Sequence, residues 1–258
     1  MTTANKLASW ASTNLSSGLA QRGYDIVLNI GQSNNINGQG LDTTLDYPMD
    51  VIKQLGRLDG YDYKIIQAVE PLHAHTRTTG SKGYVLDFSR EYVREGNLLG
   101  SREVCIVPGA WGGTGFGGNR WNPGDDLCDD AVDRVNYIIN NNEGSRLVAI
   151  LWHQGESDIL YNSNPIYYQI AFNKLIDQFS ELSSNKLPAF IAGTILKNKN
   201  SDNINNIIRN TNNKRFYNFV ELSNLGRNDS VHFTTRSTRT GGKYYFDSYQ
   251  KLIQENIE

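Results

Sequence analysis

The chain has 258 residues, 38% of them hydrophobic and 20% charged, enough for one sizeable α/β domain and short for two independent ones. A net charge of −2 offers no basic footprint for nucleic acid or an anionic membrane surface, and no apolar run approaches the roughly 20 residues a membrane-spanning helix needs. Cys105 and Cys128 are too few for a disulfide framework and neither adjoins a histidine, so both read as free structural thiols.

Residues 1–22 are rich in Ser, Thr and Asn, with Leu7, Trp10, Leu15 and Leu19 at loosely helical spacing; they read as an N-terminal arm or short helix ahead of a single domain over 23–258. The first residues lack the apolar core of a secretory signal. The expectation is a cytoplasmic protein by default, or a component of a secreted or virion-type assembly, and the arm leaves open attachment to a larger assembly or chain.

Tyr24 to Ile30 is a mostly apolar run that breaks at Gly31-Gln32-Ser33-Asn34, as expected of a strand buried on both faces. Residues 41–60 carry turn signals and read as surface loop, followed by a candidate strand over Tyr63–Val69. Apolar residues near helical period predict an amphipathic helix over Val85–Leu99. Glu103–Pro108 is the third strand and runs into the glycine-dense stretch Gly109–Gly118. A helix over Asp125–Asn141 opens with carboxylates suited to its dipole. Arg146–Trp152 is the fourth strand and ends in His153-Gln154-Gly155-Glu156-Ser157-Asp158. Beyond it come a helix over Pro165–Leu182, a fifth strand over Leu187–Ile195, a short helix over Asp202–Asn212, an extended piece over Phe216–Leu222 and a closing helix over Gly242–Ile257. This alternation predicts a three-layer α/β/α sandwich around a mostly parallel, five-stranded sheet.

Open α/β sheets bind ligands at the carboxyl ends of their strands. Four such ends carry unusual residues: Ser33, the Gly112/Gly113 loop, His153 to Asp158, and, near the carboxyl terminus, Asp229 with His232. A serine becomes a nucleophile when a histidine takes its proton and a carboxylate fixes that histidine's tautomer. Asp229 and His232, three residues apart, can supply base and orienter from one loop. The backbone N–H of Ser33, an N–H of the glycine loop and the Gln154 amide are the donors available to a tetrahedral oxyanion.

These blocks, GQSN, AWGGTGF with WNPGDD, LWHQGESD and DSVHF, occur in the order found in the sialate O-acetylesterase-like branch of the SGNH hydrolases, which includes the acetylxylan esterases of carbohydrate esterase family six, and the chain resembles that branch from Tyr24 to its last helix. The resemblance implies a flavodoxin-like α/β/α fold, metal-independent removal of O-acetyl groups from sugars, and no cofactor. It assigns Ser33 as nucleophile, His232 as base and Asp229 as its partner. Gly113, less firmly Gly112, takes the place of the oxyanion glycine, and Gln154 the place filled by asparagine in other SGNH enzymes. Gln32, Asn34, Trp111, Gly112, His153 and Glu156 are expected on the substrate side. The usual motif has methionine where this chain has Asn35, a departure expected at the pocket floor.

Each residue has a plainer reading. A loop serine ordinarily serves its own turn, and Asp229 could cap one. Glu156 and Asp158 lie on one loop, so they suit bracing it better than flanking a sugar bond as a glycosidase pair. His73-Ala74-His75 lacks further ligands for a metal. Trp111, Trp121, Trp152, Tyr161 and Tyr167 fall near the expected mouth; Trp111 suits a sugar face or the core equally, and Trp152 suits the core. The reading is a serine carbohydrate O-acetylesterase acting on sialic acid, xylan or another surface polysaccharide. A catalytically dead glycan-binding module and a lipid or thioester esterase are the alternatives.

Overall fold

The computed structural model describes residues 22–182, 188–198, 200–211 and 216–255. The expected arm therefore lies outside the described residues apart from Arg22. Strands β1 (Tyr24–Gly31), β3 (Ile52–Leu55), β4 (Ile65–Gln67), β6 (Glu103–Pro108), β7 (Arg146–His153), β8 (Ala189–Gly193) and β9 (Tyr217–Val220) form one sheet in the order β4-β3-β6-β1-β7-β8-β9. All neighbours are parallel except β3 and β4. A separate two-stranded piece pairs β2 (Gly38–Gln39) with β5 (Ser81–Lys82). The helices are α1 (Val85–Arg94), α2 (Asp126–Asn141), α3 (Glu156–Leu160), α4 (Pro165–Ser180), α5 (Ser201–Asn210) and α6 (Thr235–Glu255).

Alternation along the strands builds two cores. In β1, Ile26, Leu28 and Ile30 join the core covered by α2, α4 and α5, while Val27 joins the one covered by α1 and α6. Cys105 and Val107 of β6 face the first core, Val104 and Ile106 the second. In β7 the register shifts between Ile26 and Val27 of its neighbour, so Val148 is an extra residue and the alternation restarts beyond it. Both cysteines are free and buried. None of the described helices is long and apolar enough to cross a membrane.

The sheet has seven strands where five were expected. β3 was hidden inside the apparent loop because Lys53 and Gln54 interrupt a segment flanked by turn residues, yet Ile52 and Leu55 are buried against the sheet. β9 fills the place of the extended piece. The last helix begins at Thr235, ahead of Gly241 and Gly242 rather than after them. Those glycines cost helix propensity, but a Cβ at Gly242 would lie 2.4 Å from the Tyr84 carbonyl, so glycine lets α6 press against α1.

β1 is central and has β6 on one side and β7 on the other. Its carboxyl end is thus a switch point between the two halves of the sheet, the position where such sheets open a crevice.

Candidate active site

The turn after β1 depends on Gly31, which has φ +125° and whose added Cβ would fall 2.1 Å from the His153 carbonyl. Only glycine tolerates both. A 3-10 turn over Ser33–Asn35 follows, closed by Asn35 N–H to Gln32 O (3.0 Å) and Ile36 N–H to Ser33 O (2.9 Å). Ser33 sits at the head of this turn, nearly buried.

Residues 227–233 form a tight hairpin just before α6, with Arg227 bridged to Phe233 and Asn228 N–H donating to His232 O at 2.8 Å. Asn34 clamps this hairpin to the serine turn. Its Nδ2 donates to the Val231 carbonyl (2.8 Å) and its Oδ1 accepts from Phe233 N–H (3.0 Å). The result is that His232 Nε2 stands 3.1 Å from Ser33 Oγ, across 199 residues of chain. On the other side of the ring, Nδ1 is 2.8 Å from Asp229 Oδ2. Asp229 Oδ1 also accepts the N–H groups of Val231 and His232, each at 2.8 Å. The Val231 N–H, followed by the His232 ring and N–H, holds the Asp229 carboxyl down to about 2 although the side chain is half exposed.

The glycine loop is tied to the same turn through Trp111 N–H to Gly31 O at 3.1 Å. A Cβ on Gly112 would lie 3.6 Å from Ser33 Cβ, so this glycine faces the serine. Gly113, at φ +73°, is exposed, and its carbonyl accepts the Tyr161 hydroxyl at 2.6 Å. Asp158 braces the far end of the loop: it accepts from Phe116 N–H (3.0 Å), Gly117 N–H (2.8 Å), Ser163 Oγ (2.7 Å) and Gln154 Nε2 (2.6 Å). No side chain fits at Gly115, where a Cβ would stand 2.3 Å from Asp158 Oδ2.

Several residues expected on the substrate side or at the oxyanion are instead buried supports. Gln154 is fully buried, and its amide N–H groups are spent on Asp158, the Thr114 carbonyl (3.3 Å) and Gln32 Oε1 (3.3 Å). An amide so committed has no donor left for an oxyanion. Gln32 Oε1 accepts from the backbone of Gly155 and Ser157, tying the turn to the β7 loop. Glu156 and His153 lie beneath Asn34, with His153 Nε2 3.0 Å and Asn34 Nδ2 2.6 Å from Glu156 Oε1. Burial pushes the Glu156 carboxyl up, but His153 and the hydrogen bonds outweigh it and leave it lowered. Gln32, Asn34, His153 and Glu156 are thus buried and hold the turn through these bonds.

Trp111 is half-buried, with His75 stacked on its ring at 4.8 Å and the Arg120 guanidinium 4.6 Å over it, so its face is not open to a sugar. Trp121 and Trp152 are core, 5.5 Å apart edge to face. Asn35 is fully buried rather than at a pocket floor. Its Nδ2 donates to Gln32 O (3.0 Å) and His153 O (2.9 Å) and its Oδ1 accepts the Tyr84 hydroxyl. Tyr84 in turn stacks on Tyr245, whose hydroxyl donates to Trp152 O at 2.7 Å. An asparagine following GQS signals a polar partner inside the fold, but nothing in the sequence points to Tyr84. His73 takes part in a hydrogen bond from Leu58 N–H (3.3 Å) and a contact with Arg77, and His75 lies 3.3 Å from Asp130. The two rings thus diverge to different partners, and the described residues contain no group of three metal-ligating side chains.

A mostly parallel sheet covered on both sides thus brings a serine turn, a glycine loop and a histidine hairpin together at its carboxyl edge. Residues 23–251 match the family described as carbohydrate esterase, sialic acid-specific acetylesterase, and the chain belongs to it. No curated protein matches the chain significantly in sequence. Among solved structures, NanS is similar with a TM-score of 0.77 and 18% identity, over 90% of this chain and 98% of that one. A protein from Arabidopsis thaliana gives 0.75 and 22%, over 89% and 98%. A carbohydrate acetylesterase from Xanthomonas citri gives 0.63 and 13%, over 90% of this chain and 57% of that one. At these identities the likeness is one of fold. Family and fold together make the protein a carbohydrate acetylesterase.

Proposed function

We propose that the protein removes O-acetyl groups from sugar hydroxyls through an acetyl-enzyme on Ser33. The observation that carries this reading is the 3.1 Å contact between Ser33 Oγ and His232 Nε2, continued to Asp229 at 2.8 Å. Ser33 attacks the acetyl carbonyl as His232 takes its proton; the backbone N–H of Ser33 and an N–H of the Gly112–Gly113 segment receive the oxyanion. Gly112 suits this role because its backbone lies beside the nucleophile, a Cβ there falling 3.6 Å from Ser33 Cβ. His232 then returns the proton to the departing sugar oxygen. Water, deprotonated by the same imidazole, attacks the acetyl-Ser33 carbonyl; the acyl–Oγ bond breaks, acetate leaves, and the imidazolium returns its proton to Ser33 Oγ.

The test is acetate release from a panel of O-acetylated glycans, including 9-O-acetylated sialic acid and acetylated xylan. Ser33→Ala and His232→Ala are expected to lower kcat by at least roughly 10⁴, as when a member of a triad is removed. Retention of activity in either variant overturns the mechanism.

A further inference from the structure

Beside the serine turn lies a surface that the chemistry above leaves unused. Leu160, Tyr161, Ile166, Tyr167 and Ile170 are 75%, 47%, 67%, 40% and 52% exposed and fall within one short stretch from the end of α3 into α4. Lone exposed apolar residues are ordinary, but a contiguous group of large ones marks a binding surface. Ile166, Tyr167 and Ile170 occupy neighbouring positions on the first turns of α4.

This shelf is fastened to the loop that faces Ser33. The Tyr161 hydroxyl donates to Gly113 O at 2.6 Å and the Tyr167 hydroxyl to Phe116 O at 3.3 Å. The Tyr161 ring lies along the loop, so that a Cβ on Gly118 would meet it at 3.3 Å. Both hydroxyls are thus tied to carbonyls of the loop, and the Tyr167 hydroxyl also accepts from Asn122 Nδ2 at 3.3 Å. The segments that carry the rings are uncharged, since residues 109–119 and 159–173 contain no Lys, Arg, Asp, Glu or His; the charges that flank them are already engaged, Arg120 with Asp126 at 2.8 Å and Asp125 with Asn122 at 2.7 Å. Exposed asparagines, Asn119 and Asn162, and the half-buried Asn122 border the rings. Aromatic faces edged by amides and without charge match the apolar C–H faces and hydroxyl rims of neutral pyranoses. An anionic sugar would have to compete with Asp126 for the Arg120 guanidinium beside the loop.

We infer that the shelf made by Tyr161 and Tyr167 binds a neighbouring unit of a neutral glycan chain, so that the acetylated sugar presented to Ser33 is one residue of an oligo- or polysaccharide. This rests on the esterase reading and narrows its substrate class. The shelf adjoins the nucleophile's loop directly, and this places its occupant on the substrate rather than on a separate partner.

The experiment compares kcat/KM on chemically acetylated xylo-, manno- and gluco-oligosaccharides of one and four units with that on p-nitrophenyl acetate and on 9-O-acetylated sialic acid. In the native protein kcat/KM is expected to rise roughly tenfold or more from one unit to four in at least one neutral series, the gain expected of one stacked ring. In Tyr167→Ala, and separately in Ile170→Ser, the ratio of tetramer to monomer should fall toward one; a ratio taken within each variant cancels any general loss of activity. Equal kcat/KM at both lengths in every series, a length effect that survives both substitutions, or preference for the acidic monosaccharide overturns the inference. So does a dimer in sedimentation that Ile166→Asp dissociates, because the shelf would then be an interface between copies. Failure to hydrolyse p-nitrophenyl acetate at all would count against the esterase reading itself.

Discussion

At the scale of single residues, Asp229 has two tasks that one substitution can separate. One carboxylate oxygen holds the hairpin through the N–H groups of Val231 and His232, and the other faces the imidazole. In Asp229→Asn the amide oxygen can keep the hairpin bonds while its NH2 turns to His232 Nδ1, which must then accept. That forces the proton to Nε2, where it opposes the hydrogen of Ser33. The expected outcome is a kcat lowered by roughly 10²- to 10⁴-fold with little change in thermal stability, read by kinetics and calorimetry on the same sample. Because the native carboxyl is held down to about 2, Asp229 stays ionised through the weakly acidic range and its own titration does not set any acid limb seen there. Half exposure screens this interaction, so the effect belongs to tautomer control more than to charge.

At the scale of elements, the serine turn rests on a buried ionic cluster that the sequence does not announce. Gly83 packs on the Asn35 carbonyl, where a Cβ would come within 2.1 Å, and its N–H donates to Glu70 Oε1 at 3.1 Å. Glu70 Oε2 accepts Leu72 N–H at 3.1 Å, and the fully buried Lys82 is paired with Asp46 and Asp87 nearby. Arg239 of α6 reaches the same Asp46 at 2.6 Å, so the cluster joins the β2 and β5 loops to the helix behind the histidine hairpin. Burial raises Glu70 to about 7 from its ordinary 4.5, against the pull of Lys82. A folded state that holds this proton more tightly than the unfolded chain gains stability that is complete below the ordinary value. That stability is lost as pH rises through about 7. Glu70→Gln should flatten the decline in Tm between about pH 5 and 8 relative to the native protein, as measured by thermal melts across that range. A decline of the same slope in the variant would assign it to other groups.

At the scale of the whole molecule, opposite edges of the sheet have different duties. The carboxyl edge carries the turn, the glycine loop and the hairpin; the amino edge is closed by Asp25. Fully buried in β1, Asp25 accepts from Tyr92 (2.7 Å), Arg102 (2.8 Å) and Arg146 (2.7 Å). Removing it leaves the buried Arg102 without its counter-charge, which costs about 3–5 kcal/mol. Asp25→Ala is expected to lose about that much in urea denaturation while the folded fraction keeps its kcat, since about 20 Å of strand separates the two edges. A variant as stable as the native protein would show that the guanidinium finds other acceptors.

The strands β1, β6 and β7 and the helices α2 and α4 were legible in the sequence because apolar runs and helical periodicity are local properties of the chain. Ser33, Asp229 and His232 were legible as candidates because nucleophile, acid and base are recognisable side-chain types at strand ends. Burial was not. Gln32, Asn34, Gln154 and Glu156 carry the same polar groups whether they face a substrate or brace a turn. Only the packed structure, with Asp158 beneath the glycine loop and Asn34 across to Val231 and Phe233, decides which. β3 and the early start of α6 were hidden for a related reason: Lys53 and Gly242 violate local preference, and distant contacts repay them. The chain thus determined by itself the layered α/β class and the chemical kinds of group available. Tertiary structure decided which of those groups meet, because hydrogen bonds between residues far apart in sequence exist only after the sheet has brought its carboxyl ends together.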